Sequence, residues 1–535
     1  MSCNFKWNNH IISLVTRCQR PLYPPRYLSA ATSADGDPAS LSEALSGPDG
    51  AQWHAAKETE INTLRAKHTW DEVTTVPPER KLIGCRWVCK RKVNAQGEVV
   101  VHKVRLVAQG FSQQPGLDYE ATFAPVGRIT SLRLLLTITA AYDLELYQAD
   151  VQGAYLNGDL DRDIYMRLPN HYTPLNPNAI ALKLNKTLYG LKQSGREWWK
   201  AIMLVYVDDL VIAARNISTI DNILNQLSSK WTLSSLGPAT YVLGMRITRN
   251  RPNKTIVLSQ TAYINTLLKR YPGFSTTIAK HAPLPSRKLE EDDFETPAVL
   301  TPYQELVGSL LWLAGCTRPD IAFSASFLAR YTASPTEGHW QLALRVLSYL
   351  SHTQRLGIML GGVKHRRTLT CYSDADWAGC GQTARSTTGY VTYFCGSPIS
   401  WCSKRQRTTA SSTMEAEYIA ASEATREVIW LRNRLQELYL PQVGPSTLLV
   451  DNEAAINLSK NPLSHNKSKH IDVRYHVFRE RVELGDITVE YIPTDKQRAD
   501  VFTKALGGPA HGVAIRALRM EKIHEEGEDS KEENA

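Results

Sequence analysis

The sequence predicts a multidomain protein of mixed α+β and α/β class, and three observations support this prediction. The chain has 535 residues, which is enough for several hydrophobic cores. Residues 303–352 contain three apolar runs with helical spacing, which predict consecutive helices. From residue 367, two strand patterns are followed by a helix over 415–438 and a further strand, an order typical of an α/β layer.

The elements before residue 303 alternate between helix and strand patterns. Residues 21–50 are rich in Pro, Ser, Ala and Gly and predict a linker. A helix is predicted over 49–70, and a β-hairpin over 80–111 has its turn at "NAQG". Residues 131–158 predict a buried helix that leads into a strand. The residues spaced for one face of the first helix are Trp53, Ala56, Ile61 and Leu64.

The charge of the chain is distributed unevenly. The formal net charge is +9, but the last 15 residues hold seven acids and two lysines, so the remainder carries about +14. A basic body of this size fits a polyanionic partner, because each neutralised phosphate releases a counterion. Charge alone leaves a solvated basic surface as the alternative. No apolar run is long enough to span a bilayer, so no membrane partner is expected.

The nine cysteines are scattered along the chain and form no CxxC pair. Cys85 and Cys89 are four residues apart, but no second Cys or His pair completes a zinc set. We therefore expect reduced thiols that pack mostly as small hydrophobic side chains.

Several acids occupy one kind of position, at or just after the end of an apolar strand. Taken singly, such an acid is a solvated turn former. The pair in "LVYVDDLVIAA" differs, because apolar residues border it on both sides and two like charges there cost free energy unless a cation offsets them. Clustered carboxylates favour Mg²⁺, and two such ions, about 3.5–4 Å apart, clamp the oxygens of a phosphoryl displacement. The acids at strand ends are Asp150, Asp208, Asp209, Asp374 and Asp451, while Glu417 lies on a predicted helix and Asp500 follows near the end.

The motifs that contain these acids form a long ordered set. From about Trp53 to Leu506 the chain resembles the reverse transcriptase–ribonuclease H region of a Ty1/copia-type LTR retrotransposon polyprotein. The stretches that carry the resemblance include "VHKVRLVAQGFSQQPGLDYEATFAPVGR", "QADVQGAYLNGDLDRDIYMRLP", "LKLNKTLYGLKQSGREW", "LVYVDDLVIAA", "VGSLLWLAGCTRPDIAF", "SDADWAGC", "TGYVTYFCGSPISWCSKRQ", "STMEAEY", "VDNEAAI" and "SKHIDVRYHVFRERV".

The resemblance implies a right-hand polymerase, with fingers, palm and thumb-like parts, followed by a ribonuclease H-like domain. The implied activities are RNA-directed DNA polymerase and cleavage of the RNA strand in an RNA–DNA hybrid. The implied partners are an RNA template, a DNA primer, the hybrid and dNTPs, in the cytoplasm or the nucleus. The implied segments are a low-order N-terminal part (1–48), fingers and palm (49–275), a thumb- or connection-like helical region (276–364), the ribonuclease H-like domain (365–506) and an acidic tail (507–535).

The resemblance also implies which residues bind metal and nucleotide. Asp150, Asp208 and Asp209 match the polymerase acids that hold two Mg²⁺ ions, for which Mn²⁺ is an alternative. Tyr155 matches the position that excludes a 2′-hydroxyl, and Gly190 matches the glycine beside the bound nucleotide. Lys103 and Arg105 lie in a strand similar to the triphosphate clamp.

The second half of the resemblance implies another pair of metal ions. The ribonuclease H acids that hold them are Asp374, Glu417, Asp451 and Asp500, and the neighbours Asp376 and Glu415 are rejected by the motif pattern. Two histidines in "KHIDVRYH" fit a basic substrate-facing helix or ordinary packing better than a metal site.

The chain departs from the family pattern just before "YVDD". "REWWK" passes directly to "AIMLVYVDD", whereas relatives have the rest of a helix, a glycine turn and a strand between them. This junction near 200/201 leaves almost no connection, and a displacement of the metal acids by about 1 Å can cost about 10²-fold in rate. The expectation is a truncated copy, or a gene model that removed coding sequence, with impaired polymerase. The alternatives are a decayed remnant that only binds nucleic acid, and a chain in which only the ribonuclease H half works.

Overall fold

A computed structural model describes most of the chain. The described residues are 37–78, 80–93, 99–114, 118, 128–151, 159–186, 204–206, 209–229, 231, 233–274, 281–286, 300–362, 367–438, 440–460 and 476–523. They fall into two compact units, the first drawn from 1–127, 148–212 and 220–237, and the second from 128–147, 213–219 and 238–535.

The first unit is built on two helices, a hairpin and two small sheets. The helices are α1 (Leu41–Ser46) and α2 (Gly50–Ala66), and the strands are β1 (Trp70–Val73), β2 (Cys85–Val93), β3 (Val99–Ala108), β5 (Asp159–Arg167) and β6 (Ala181–Lys186). Strands β2 and β3 form an antiparallel hairpin, and β1, β6 and β5 form a three-stranded antiparallel sheet. Helix α2 buries Trp53, Ile61 and Leu64 against this layer, because they recur on one helical face.

A four-stranded sheet in the order β7-β8-β4-β9 carries the first set of predicted acids. Its strands are β4 (Glu145–Val151), β7 (Leu204–Tyr206), β8 (Asp209–Ala214) and β9 (Leu233–Pro238), and α4 (Ile217–Ser228) follows β8. Strands β7 and β8 form an antiparallel hairpin in which Tyr206 pairs with Asp209. Among the described residues, β7 has three residues and lies at the edge of the sheet.

The second unit begins with helix α3 (Ile129–Tyr142), which the sequence groups with the fingers and palm. Arg133 of this helix is buried and its guanidinium donates to the carbonyl oxygens of Gly315, Cys316 and Ile399 at 2.7–3.0 Å. The same guanidinium lies 3.7 Å from the ring centre of Trp401. These contacts explain why α3 belongs to the second unit.

The middle of the second unit contains a five-stranded sheet and four helices. The strands are β10 (Tyr241–Val242), β11 (Met245–Asn250), β12 (Thr255–Ser259), β13 (Leu356–Gly361) and, much later, β19 (Met520–Lys522). They form one antiparallel sheet in the order β10-β11-β12-β13-β19. The helices are α5 (Thr261–Arg270), α6 (Leu300–Cys316), α7 (Ala322–Ala329) and α8 (Glu337–His352). The last three confirm the three helices predicted over 303–352.

The last sheet has the order β16-β15-β14-β17-β18. Its strands are β14 (Leu369–Asp376), β15 (Thr387–Phe394), β16 (Ser397–Arg405), β17 (Ser446–Val450) and β18 (Ile487–Tyr491). The first three are antiparallel, whereas β17 runs parallel to β14 and to β18. The long helix α9 (Thr413–Glu437) separates the two halves, and α10 (Glu453–Lys460) and α11 (Val477–Glu483) follow β17. This combination of antiparallel and parallel strands with helices confirms the mixed α/β prediction.

Two predicted features differ from the structure. Residues 41–46, within the predicted linker and low-order segment, form α1, because Leu41 and Ala44 are buried and Ser40 caps the helix by accepting a hydrogen bond from the Glu43 amide. Within the stretch interpreted as an acidic tail, α12 (Gly508–Ala517) and β19 are folded, and the pairing of β19 with β13 is antiparallel.

Two sequence expectations about composition have a structural counterpart. The cysteines among the described residues are all free thiols, as predicted. None of the described helices combines the length and apolar composition that crossing a bilayer requires.

Candidate metal centre

Two parallel strands bring Asp374 and Asp451 to one edge of the last sheet. Strands β14 and β17 pair in parallel up to Tyr372 and Leu449, and each acid lies two residues further along its own strand direction. Because side chains alternate along a strand, acids at matching positions of neighbouring parallel strands lie side by side. An acid at the end of each of two neighbouring parallel strands therefore places two carboxylates next to each other.

Helix α9 adds the third acid. Ser412 caps the start of this helix, and Glu417 lies on its buried side next to β14. The amide of Ala375 donates to Glu417 Oε1 at 3.1 Å, which fixes the carboxylate beside the strand. One oxygen each of Asp374, Glu417 and Asp451 lies within 4.8 Å of the others, a spacing that one metal ion can bridge.

A short 3₁₀ turn, Asp500–Phe502, supplies the fourth acid. The negative charge of Asp500 is one of the causes that raise the pKa of Asp374 and of Asp451. The turn is linked to Asp374 through Thr503, whose hydroxyl donates to Asp374 Oδ2. Asp500 Oδ2 forms an ion pair with Lys504 Nζ at 2.9 Å. The ammonium of Lys504 therefore offsets part of the negative charge.

The fold holds these carboxylates close together although their negative charges repel one another, and burial together with this repulsion raises their pKa values. Burial, and then the charge of Asp500, raise the pKa of Asp374 to about 7. Burial, and then the charges of Asp374 and Asp451, raise the pKa of Glu417 well above its usual value. Burial is also the main reason that the pKa of Asp451 is raised.

The residues fit a hard divalent cation. Glu417 Oε2 and Asp500 Oδ1 are buried and have no hydrogen-bond partner among the described residues. Buried carboxylate oxygens without a donor are costly, and a cation that takes oxygen ligands offsets that cost. Among the described residues, this is where three acids offer such a set.

The two neighbouring acids that the motif pattern rejects have structural partners. Asp376 accepts a hydrogen bond from the Thr387 amide on the adjacent strand. Glu415 accepts from the amide and hydroxyl of Ser411, at 2.8 and 2.6 Å, at the start of α9. Of the two histidines in "KHIDVRYH", His476 lies with Nδ1 at 3.4 Å from the Tyr418 hydroxyl, and His470 lies outside the described residues.

The predicted polymerase acids are only partly described. Asp150 lies near the end of β4 and Asp209 begins β8, and these strands are neighbours in one sheet. Gln148 Nε2 donates to Asp209 Oδ1 at 3.0 Å, and Asp150 shares a strand face with Gln148 because it lies two residues further on. Asp150 and Asp209 are therefore on one face of the sheet. Asp208, Tyr155, Gly190 and the junction near 200/201 lie outside the described residues.

Lys103 and Arg105 lie on β3 of the hairpin, where they pair with Lys90 and Val88. Burial raises the pKa of Glu60 on α2, and the positive charges of Arg105 and Lys103 partly counter that effect. The two basic side chains therefore face an acid of the same unit. Their predicted contact with a triphosphate stays a prediction.

Sequence reasoning missed the residues that support the acids. Thr503 donates to Asp374 Oδ2, and Thr494 donates to Asp451 Oδ2 at 3.0 Å. No sequence signal identifies these hydroxyls, because the partners are distant in the chain. Gly389, which pairs with Asp374 across β14 and β15, did have a signal, since a glycine inside a strand indicates close backbone approach.

Substitution of Gly389 by alanine is expected to destabilise the second unit by about 1–3 kcal/mol, the usual cost of overpacking. The new Cβ would lie 2.6 Å from Thr503 Cγ2 and 3.0 Å from the Ala499 carbonyl oxygen, so the turn that carries Asp500 must move. Urea denaturation measures the change. Gly444→Ala is the matched control, since a Cβ there meets no atom within 4 Å. Equal stability of the two variants would contradict the prediction.

The chain is similar to several known proteins. The reverse transcriptase (RNA-dependent DNA polymerase) family matches residues 67–205 and 199–285. A retrovirus-related Pol polyprotein from transposon TNT 1-94 of Nicotiana tabacum is 37% identical over 511 residues, which cover 89% of this chain and 38% of the relative. A putative transposon Ty5-1 protein of Saccharomyces cerevisiae is 30% identical over 323 residues, which cover 52% of this chain and all of the relative.

One solved structure, the N-terminal ribonuclease H domain of a Mycobacterium tuberculosis protein, is matched over 28% of this chain and 97% of its own. The identity is 13% and the TM-score is 0.19.

The matched class is that of reverse transcriptases. Within it, the chain belongs to the family of Pol polyproteins from Ty1/copia-type retrotransposons. It spans 38% of the length of the tobacco relative.

Proposed function

We propose that this chain cleaves the RNA strand of an RNA–DNA hybrid. The observation that carries the proposal is the convergence of Asp374, Glu417 and Asp451 at the end of the last sheet, with Asp500 on a turn that Thr503 links to Asp374. Buried carboxylates that raise one another's pKa are typical of catalytic metal sites. The resemblance of motifs such as "SDADWAGC" and "STMEAEY" to the ribonuclease H region of Pol polyproteins supports the same activity.

The acids are proposed to hold two Mg²⁺ ions, for which Mn²⁺ can substitute. Asp374 and Glu417 lie deepest, and Asp451 and Asp500 complete the set from its more exposed side. Bound metal would supply an activated water and stabilise the charge that develops on the phosphate. The protein contributes the fixed positions of the four carboxylates, and Lys504 limits their repulsion before metal binds.

The proposed hybrid lies over the same edge of the sheet. Asp376 pairs with Thr387, and Thr387 pairs with Arg405, so the ends of these three strands are adjacent. Exposed Lys404 and Arg407 lie at or just beyond that end, and Trp377, directly after β14, is 53% exposed. Basic side chains and an open aromatic face suit a nucleic acid, which such domains recognise by backbone and shape.

We further propose that the first part of the chain descends from an RNA-directed DNA polymerase and polymerises poorly. Its proposed segments are fingers and palm over 49–275 and a thumb- or connection-like region over 276–364, before the ribonuclease H-like domain (365–506). Template, primer and dNTPs are its proposed partners. Its proposed site residues are Asp150, Asp208, Asp209, Lys103, Arg105, Tyr155 and Gly190.

The junction near 200/201 is the reason to expect impaired polymerisation. The family match is divided into two stretches that meet at 199–205, the place where the sequence lacks a connection. Genomic DNA between the codons for Lys200 and Ala201 tests the origin of the gap. An in-frame insert there would mean that coding sequence was removed as an intron, and contiguous codons would mean a true deletion.

A nuclease assay with the full chain tests the proposal. With Mg²⁺, the chain should cut the RNA strand of a labelled hybrid and leave the same RNA uncut when it is single-stranded. The control is EDTA, which should stop the cleavage. A chain that binds the hybrid but cleaves nothing with either Mg²⁺ or Mn²⁺ would favour the alternative of a decayed nucleic-acid-binding remnant. By family, the proposed location is the cytoplasm or the nucleus.

A further inference from the structure

The segment from Thr494 to Lys504 supports the acid cluster from one side. Besides carrying Asp500, it makes three side-chain hydrogen bonds to the two strands that end in acids. Gln497 Nε2 donates to the Ser373 carbonyl oxygen at 2.9 Å, directly before Asp374. The other two donors are the hydroxyls of Thr494 and Thr503, and each reaches Oδ2 of one acid, Asp451 and Asp374 respectively.

Thr503 connects two acids that come from different elements. Its side chain is fully buried, and its backbone amide and Oγ1 both lie 3.1 Å from the carbonyl oxygen of Asp500. The hydroxyl that reaches Asp374 is thus fixed to the turn that carries Asp500. Gly389 leaves the space in which the Thr503 methyl group lies, as the 2.6 Å distance to a hypothetical Cβ shows.

The two hydroxyl contacts affect which oxygen of Asp374 and of Asp451 is available to a cation. The carboxyl torsion of an aspartate is broad, so a carboxylate without a partner turns freely. When a hydroxyl fixes Oδ2, the other oxygen of the same carboxylate has a defined direction. Two like-charged carboxylates otherwise turn apart, and metal binding then has to bring them back.

We propose that Thr503 and Thr494 are positioning residues, whose hydroxyls hold one oxygen of Asp374 and of Asp451 so that the other oxygen is presented to the metal. This inference rests on the proposed ribonuclease function. Thr503 has the larger effect, because its contact is buried and links Asp374 to the Asp500 turn. Thr494 is exposed, so water replaces part of its contribution.

The test compares Thr503→Val with Thr503→Ser in the full chain. Valine keeps the shape and removes the donor, whereas serine keeps the donor. Calorimetric titration with Mn²⁺ should show an affinity about 10-fold weaker for the valine variant and restored in the serine variant, in the range known for partners of metal ligands. In the nuclease assay, the valine variant should need about 10-fold more Mg²⁺ for half-maximal rate, with an unchanged KM for the hybrid at saturating Mg²⁺.

Other outcomes separate this inference from the proposed function. If the parent chain binds Mn²⁺ and the valine variant binds it equally well, the positioning role is wrong. If serine fails to restore binding, the loss comes from packing and the role is also wrong. If the parent chain itself neither binds Mn²⁺ nor cleaves hybrid, the proposed function fails instead. Should Thr503→Val not fold, Thr494→Val decides, with a loss of about 3-fold expected and parent-like affinity contradicting the role.

Discussion

Replacement of Asp374 by asparagine is expected to reduce hybrid cleavage by about 10³-fold or more, and to stabilise the metal-free chain at pH 8. The two effects have one cause. Asp374 is 5% exposed and lies among acids that raise its pKa, so its charge is costly until a cation binds. Asparagine keeps the shape and removes both the charge and an anionic ligand oxygen. Cleavage of labelled hybrid and thermal denaturation in EDTA measure the two effects.

The pH dependence of the stability gain follows from the same pKa. The pKa of Asp374 is about 7 in the folded chain and near 3.8 as its ordinary value. Between these values the folded state binds more protons than the unfolded state, so this group lowers the free energy of unfolding as the pH rises from about 4 to 7. The asparagine variant should lose that slope, and its advantage over the parent should be largest above pH 7.

The matched control for this experiment is Asp376→Asn. Asp376 lies on the same strand two residues later, but it accepts a hydrogen bond from the Thr387 amide instead of facing the other acids. This variant should keep most of its cleavage rate. If Asp376→Asn abolishes cleavage while Asp374→Asn retains it, the two acids have been assigned in the wrong order. If Asp374→Asn is no more stable than the parent in EDTA at pH 8, the carboxylates do not repel one another as described.

Part of this site follows from the sequence, because local patterns determine it. Asp374 and Asp451 each follow an apolar strand, and parallel pairing then brings them together without further information. The family motif selects Glu417 over Glu415, and the capping contacts of Glu415 give that choice a physical basis. In contrast, Thr503 reaches Asp374 across 129 residues, and a single hydroxyl in "DVFTK" has no pattern that reveals such a contact.

The elements of the fold also divide into those that local sequence patterns predict and those that depend on contacts between distant residues. The helices Leu300–Cys316 and Glu337–His352 have 17 and 16 residues, long enough for the sequence to predict them. Helix α1 has six residues and β19 has three, which is too short for periodicity to separate them from a linker or a tail. The place of α3 depends on Arg133, whose buried contacts to carbonyl oxygens of Gly315 and Ile399 cannot be read from a helical pattern.

Insertion of the missing stretch is expected to restore polymerisation. A chimera that carries the corresponding residues of the tobacco relative between Lys200 and Ala201 should extend an RNA-templated primer at least about 10²-fold faster than the parent chain. The physical reason is that the inserted stretch would pack next to the β7–β8 hairpin and stabilise the position of its acids. Among the described residues, β7 consists of Leu204–Tyr206 at the edge of its sheet, and Tyr206 pairs with Asp209. Such a short edge strand makes few hydrogen bonds to β8, so the position of the acids depends on the residues that precede β7 in the sequence.

The chimera also separates the two proposed activities. Asp150→Asn in the chimera should abolish extension, which shows that any gain comes from the polymerase acids and not from a contaminant. Hybrid cleavage should be the same in parent and chimera, because the ribonuclease H acids belong to the second unit and the junction to the first. Extension by the parent as fast as by the chimera would mean that the junction costs nothing. Failure of both, with cleavage intact, would mean that polymerisation was lost for a reason outside the junction.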